Sequence, residues 1–115
     1  MEQRKKELKE QYKQMKPEMG ILMVTSLANN KHFLIAAPNL RGMENRIKFQ
    51  LSMGSFPNRT LQQDWDAYGE GNFKIETLDT LEYSKDETKT DHREDLEELR
   101  EIWIERFREE QKELY

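Results

Sequence analysis

Residues 20–36 read Gly20-Ile21-Leu22-Met23-Val24-Thr25-Ser26-Leu27-Ala28-Asn29-Asn30-Lys31-His32-Phe33-Leu34-Ile35-Ala36. The first six are apolar on both faces and rich in branched side chains, the pattern of a strand buried on both sides. Phe33 to Ala36 form a second such run. Asn29-Asn30 stands between them, and asparagine tolerates the positive φ of a tight turn, so the stretch predicts a β-hairpin of two antiparallel strands.

Downstream of the hairpin, Pro38 suits the first turn of a helix. Leu40, Met43, Ile47 and Leu51 then repeat at helical spacing, leaving Arg41, Asn45 and Lys48 along another face. Gly54 and Pro57 end that helix. Asn58 is placed to cap a second helix with a buried stripe of Leu61, Trp65 and Tyr68, and Gly69 to stop it. Phe73, Ile75 and Thr77 alternate with Lys74 and Glu76, which predicts a third strand with one wetter face. Asp91 with Glu94 makes a capping box for a last helix lined by Leu96, Leu99, Trp103 and Phe107. Upstream, residues 2–16 are strong helix formers with Leu8, Tyr12 and Met15 on one face, and Pro17 stops them. The expected fold is α+β: a small three-stranded antiparallel sheet flanked by helices. It is one domain, with an N-terminal helix over 1–16, a core over 17–83 and a C-terminal helical segment over 84–115 packed on that core.

The 115 residues contain no cysteine and two histidines, which removes thiol nucleophiles, disulfides and thiolate metal sites and makes zinc chemistry an unpromising reading. No apolar run is long enough for a membrane span and the N-terminal segment is charged, so a cytoplasmic protein without a membrane partner is expected. The net charge of -4 is uneven. Residues 1–16 carry six Lys/Arg against three Glu, residues 17–85 seven basic against eight acidic groups, and residues 86–115 six against twelve. A nucleic-acid partner would therefore meet a local basic surface at most, and bind weakly.

Taken in order, Gly20-Ile21-Leu22, Asn29-Asn30-Lys31-His32-Phe33-Leu34-Ile35, Asn39-Leu40, Asn58 with Leu61, Tyr68-Gly69 and Asn72-Phe73 resemble the GIY-YIG nuclease superfamily, in its homing-endonuclease-like branch. Trp103-Ile104 fits a Trp-Ile pair that members carry on a later helix. The resemblance implies metal-assisted phosphodiester hydrolysis, with Mg or Mn as cofactor. A tyrosine or activated water attacks, an arginine stabilises the phosphate charge and a glutamate holds the cation. It also implies a degenerate site. The motif tyrosines fall on Leu22 and Phe33, the second glycine on Ile35, the helix arginine on Met43 and the metal-binding glutamate on Arg100. Losing one preorganised donor from such a site costs about 100-fold to 1,000-fold in rate. The expected function is accordingly a GIY-YIG-like domain with lost or strongly reduced endonuclease activity that retains binding of DNA or another nucleic acid.

The alternatives rest on other residues. An active endonuclease with a rearranged site would use Arg46 on the phosphate, His32 as general base, Asn58 as the surviving polar position, and Glu98 or Glu101 on the metal. Against this, His32 reads more simply as a structural histidine, Asn58 as a helix cap, and the acidic run Glu94, Asp95, Glu97, Glu98 and Glu101 as a wet helix face paired with Arg93 and Arg100. Arg41, Arg46, Lys48 and Arg59 either line a phosphate-tracking groove beside Phe56 or form a solvated face. A protein-interaction or scaffold module is the remaining reading. In it the basic N-terminal and acidic C-terminal helices pair their apolar stripes, within one chain or between two chains of a homodimer.

Overall fold

The computed structural model describes residues 16–86 and 88–115. The N-terminal helix expected over residues 2–16, with Leu8, Tyr12 and Met15, lies outside them apart from Lys16. Strands β1 (Met19–Ser26) and β2 (Lys31–Ala37) form the hairpin, in a register running from Gly20↔Ala37 to Thr25↔His32. Asn30 takes a φ of 56° at the turn, a conformation asparagine adopts at low cost. Strand β3 (Phe73–Leu81) pairs antiparallel with the other edge of β1. That puts β1 between two neighbours, which is why it needs apolar side chains on both faces: Leu22 and Val24 on one, Ile21 and Met23 on the other.

The sheet has four strands rather than three. Glu113–Leu114 form β4, parallel to Lys31–His32, so the order is β3-β1-β2-β4 and the sheet is mixed. Two residues carry no alternation that a sequence pattern could register.

Helices α1 (Leu40–Ser52) and α2 (Arg59–Tyr68) cover the face that carries Leu22, Val24, Phe33 and Ile35, while α3 (Arg93–Glu109) covers the opposite face. Pro38 precedes α1 instead of opening it: Asn39 is the N-cap, its side chain accepting from the Gly42 N–H at 3.0 Å. Asn58 caps α2, accepting from the Leu61 N–H at 3.1 Å, and Gly69 ends it with a φ of 84°. Tyr68 is 43% exposed and leaves the stripe expected for it. Gln62 is buried in its stead, its side-chain oxygen accepting from the Phe56 N–H at 3.1 Å and its nitrogen donating to the Leu51 carbonyl at 3.0 Å. A polar side chain is tolerated there because it satisfies backbone groups at the end of α1 and in the α1–α2 loop that folding removes from water.

At α3 the Asp91–Glu94 box does not form. The helix begins at Arg93 with no side-chain cap from His92, and Asp91 accepts from the Arg93 N–H at 3.1 Å while holding the Arg93 guanidinium at 2.8 Å. Leu99, Trp103, Ile104 and Phe107 pack on Ile21 and Leu34 of the sheet. The apolar stripe of α3, one half of the surface a homodimer would need, is thus buried within its own chain. No helix among the described residues is long and apolar enough to cross a membrane.

The β1–β3 ladder is irregular. Ile21 faces Asp79 and Leu22 faces Thr77, so Leu78 is an extra residue and β3 bulges. Trp103 Nε1 donates to Asp79 Oδ2 at 2.9 Å, tying α3 to the bulge.

Candidate functional site

The strand period of two sends Leu22, Phe33 and Ile35 to the face beneath α1 and α2. Leu22 lies opposite Ile35 across the hairpin, Phe33 lies opposite Val24, and Met43 of α1 packs on the same cluster. Four of the five positions to which the resemblance assigns motif residues therefore converge, and what they form is apolar. Leu22 is 1% exposed. The Phe33 ring meets Phe56 edge to face, with centroids 5.5 Å apart. None of the four side chains can donate, accept or exchange a proton.

The fifth position belongs to the other layer. Arg100 Nε donates to the Leu34 carbonyl of β2 at 2.9 Å, and its Nη1 lies 3.7 Å from a Glu97 oxygen and 3.5 Å from a Glu101 oxygen. A carboxylate has no proton to offer that carbonyl and would repel it, so the packing of α3 on β2 is adapted to a guanidinium.

The remaining candidates do not gather around this cluster. His32 alternates with Phe33 and faces α3, where it is buried, shares a 3.0 Å hydrogen bond between Nδ1 and Thr25 Oγ1, and meets the Phe107 ring edge-on at 5.4 Å. Asn58 is engaged by the Leu61 N–H as described. Arg41 and Arg46 on α1 and Arg59 on α2 are exposed and form no ion pair among the described residues, while Lys48 lies 3.3 Å from Glu44. Glu98 and Glu101 are exposed on α3, with the sheet between them and Arg46. Among the described residues no group of three His, Asp or Glu side chains is arranged to hold a metal ion.

Burial, and next the charge of Lys112, hold the His32 imidazole below its ordinary range, with Glu76 opposing. The unfolded chain then takes up the proton more readily. Stability from this group is complete above the ordinary imidazole pKa of about 6.5 and is lost as pH falls from there through the lower folded value. Urea melts are expected to show stability dropping between pH 7.5 and pH 5. The drop should shrink in His32→Gln, and an unchanged drop would assign it to another group.

Two features escaped the sequence reading. Phe56, expected beside a basic groove, is 6% exposed and belongs to the core, whereas Phe49 of α1 is 65% exposed. Phe49 lies off the stripe of Leu40, Met43, Ile47 and Leu51, and that offset was the available signal. The second feature is a polar latch. Asp64 of α2 accepts from Asn29 Nδ2 at 2.9 Å and from the Tyr115 hydroxyl at 2.6 Å. The Tyr115 hydrogen bond, and with it Asn29 and Lys31, keeps the Asp64 carboxyl below the usual carboxylate range. Burial and Asp64 push the Tyr115 hydroxyl up, so it stays protonated and serves to fasten β4 to α2. Beyond the C-terminal end of α1, an open depression of about 480 Å³ is lined by Gly54, Ser55, Pro57, Arg59 and Gln62 among others.

The fold is similar to that of solved nuclease domains. The catalytic domain of the homing endonuclease I-TevI superposes with a TM-score of 0.65 at 20% sequence identity, over 83% of this chain and 94% of that domain. A form of the I-TevI catalytic domain carrying one glutamate-to-alanine substitution superposes with a TM-score of 0.66 at 19% identity, over 84% of this chain and 90% of that one. No protein-family model matches the sequence, and neither does any curated protein. Likeness at this level of identity establishes the architecture: the chain has the fold of a GIY-YIG endonuclease catalytic domain.

Proposed function

We propose that this chain is a GIY-YIG-fold domain in which phosphodiester cleavage is lost or strongly reduced while nucleic-acid binding is kept. The observation that carries the reading is the apolar convergence of Leu22, Phe33, Ile35 and Met43 in a fold shared with an endonuclease domain. Hydrolysis of a phosphodiester needs a group that takes a proton from the nucleophile and a charge that meets the phosphate. Aliphatic and phenyl side chains supply neither.

A divalent cation such as Mg or Mn, which the resemblance implies, does not suit the donor set. Such ions take oxygen ligands, and the position that would offer a carboxylate offers the Arg100 guanidinium, already donating to the Leu34 carbonyl. Binding asks less of the site than cleavage. Exposed Arg41, Arg46 and Arg59, with Lys48, leave α1 and the start of α2 with cations for phosphate.

The test has two arms. With Mg or Mn, the wild-type protein is expected to cleave plasmid, single-stranded and branched DNA no faster than Arg46→Ala does. Chelator-sensitive cleavage that Arg46→Ala abolishes would replace this reading with a rearranged active site. In the second arm, affinity for DNA is expected to fall as salt rises, since each neutralised phosphate releases counterions. Absence of binding even at low ionic strength would remove the nucleic-acid part of the proposal.

A further inference from the structure

Helix α1 turns two faces outward. Along one lie Arg46, Phe49 and Met53, at i, i+3 and i+7, with Met53 at the helix C-cap. Phe49 is 65% and Met53 67% exposed. The chain then folds back, the Ser55 N–H donating to the Gln50 carbonyl at 2.9 Å, and leads directly into the depression lined by Gly54, Ser55 and Arg59. A bare phenyl ring with an arginine one turn away, continuous with a depression that Arg59 lines, is unexplained by the fold.

We infer that this face is a stacking platform for an unpaired nucleic-acid strand, with a base on the Phe49 ring and phosphates met by Arg46 and Arg59. The inference rests on the nucleic-acid reading above and narrows it. A phenyl ring cannot read base edges, because it neither donates nor accepts, but it can lie against the π-face that every base presents once it leaves the duplex stack. The charges agree. Helix α1 holds three basic residues and one acidic, whereas α3, behind the sheet, holds four basic and seven acidic. At about 0.1 M salt a Debye length of about 10 Å screens α3 from a strand on the α1 side. The same surface suits a protein partner poorly. Stable protein interfaces bury roughly 1,200 Å² or more, and two apolar side chains flanked by cations fall far short of an apolar interface core.

Fluorescence anisotropy with an oligodeoxythymidylate of about 15 nucleotides and with a hairpin duplex tests the inference. Phe49→Ala is expected to weaken single-strand binding about 5-fold to 150-fold, the loss of one stacked base. Duplex binding should stay within about twofold, and Phe49→Trp should restore the single strand, since either ring offers a face. Phe49 is exposed, so thermal melts of both variants should match wild type. Single-strand binding that survives Phe49→Ala unchanged overturns the platform and leaves the nucleic-acid reading standing. If neither nucleic acid binds at low salt, both go together. A dimer in sedimentation that Phe49→Ala dissociates would instead assign the face to a second copy of the chain and overturn the platform.

Discussion

Gly20→Ala is expected to destabilise the protein by about 3–5 kcal/mol, the high end of what single substitutions do. A β-carbon at Gly20 would stand 2.0 Å from the Asp79 carbonyl oxygen and 2.8 Å from the Thr80 Cα, and both obstacles are backbone. No rotamer change relieves that contact. β3 has to move, and the bulge at Leu78 leaves little freedom: Ile21↔Asp79 on one side and Leu22↔Thr77 on the other fix the ladder, while Trp103 holds the Asp79 side chain from α3. Displacing β3 therefore disturbs the central strand and the α3 layer together. Gly71→Ala is the control, since its β-carbon would meet nothing within 4 Å and its φ is unstrained, so an effect within about 0.5 kcal/mol is expected. Urea denaturation of the two variants decides. A loss under 1 kcal/mol for Gly20→Ala would mean that β3 is not held at its bulge as described.

The hairpin was legible because its signals are local. Asn29-Asn30 carries the turn, and a run apolar on both faces places β1 between two helical layers. What escaped the sequence depends on tertiary partners. β4 is held by partners distant in the chain: Tyr115 anchors to Asp64 and donates its backbone N–H to the His32 carbonyl, and Leu114 packs beneath α3. Gln62 is buried because the α1–α2 loop presents backbone groups that need it, which no propensity encodes. The Asp91–Glu94 pair had the right spacing for a capping box, yet Asp91 is taken by Arg93 two residues on.

The site shows the same division. Leu22, Phe33, Ile35 and Met43 are placed by the order and spacing of the motif residues the sequence resembles, and the fold gathers them in one cluster. The strand alternation that puts Phe33 and Ile35 on one face puts His32 on the other, so the separation of His32 from that cluster was readable in principle. The exchange of Phe56 for Phe49 was readable by half: Phe49 lies off the apolar stripe of α1, whereas the burial of Phe56 depends on how the α1–α2 loop folds onto Phe33.

Leu22→Tyr, which would place a tyrosine where the resemblance implies the first motif tyrosine, is expected to cost about 2–5 kcal/mol of stability. Leu22 is covered by α1 and lies in a cluster with Ile47, Leu40 and Ala37, all buried. A larger ring there overpacks the core at about 1–3 kcal/mol, and its hydroxyl, pushed among the buried apolar side chains beneath α1, adds about 1–3 kcal/mol as an unsatisfied buried group. Phe33→Tyr differs. That ring is only partly buried, so an added hydroxyl can reach water, and a change within about 1 kcal/mol is expected. Thermal melts of the two variants and the double variant separate a site that has lost its groups from one that has also closed over their places. If Leu22→Tyr melts with the wild type, the core has kept room for a hydroxylated ring and the site is merely stripped. If it melts far below while Phe33→Tyr does not, regaining attack chemistry requires the α1 layer to repack first. On the proposed reading neither variant is then expected to cleave DNA, because Met43 brings no charge to a phosphate and Arg100 still donates to the Leu34 carbonyl.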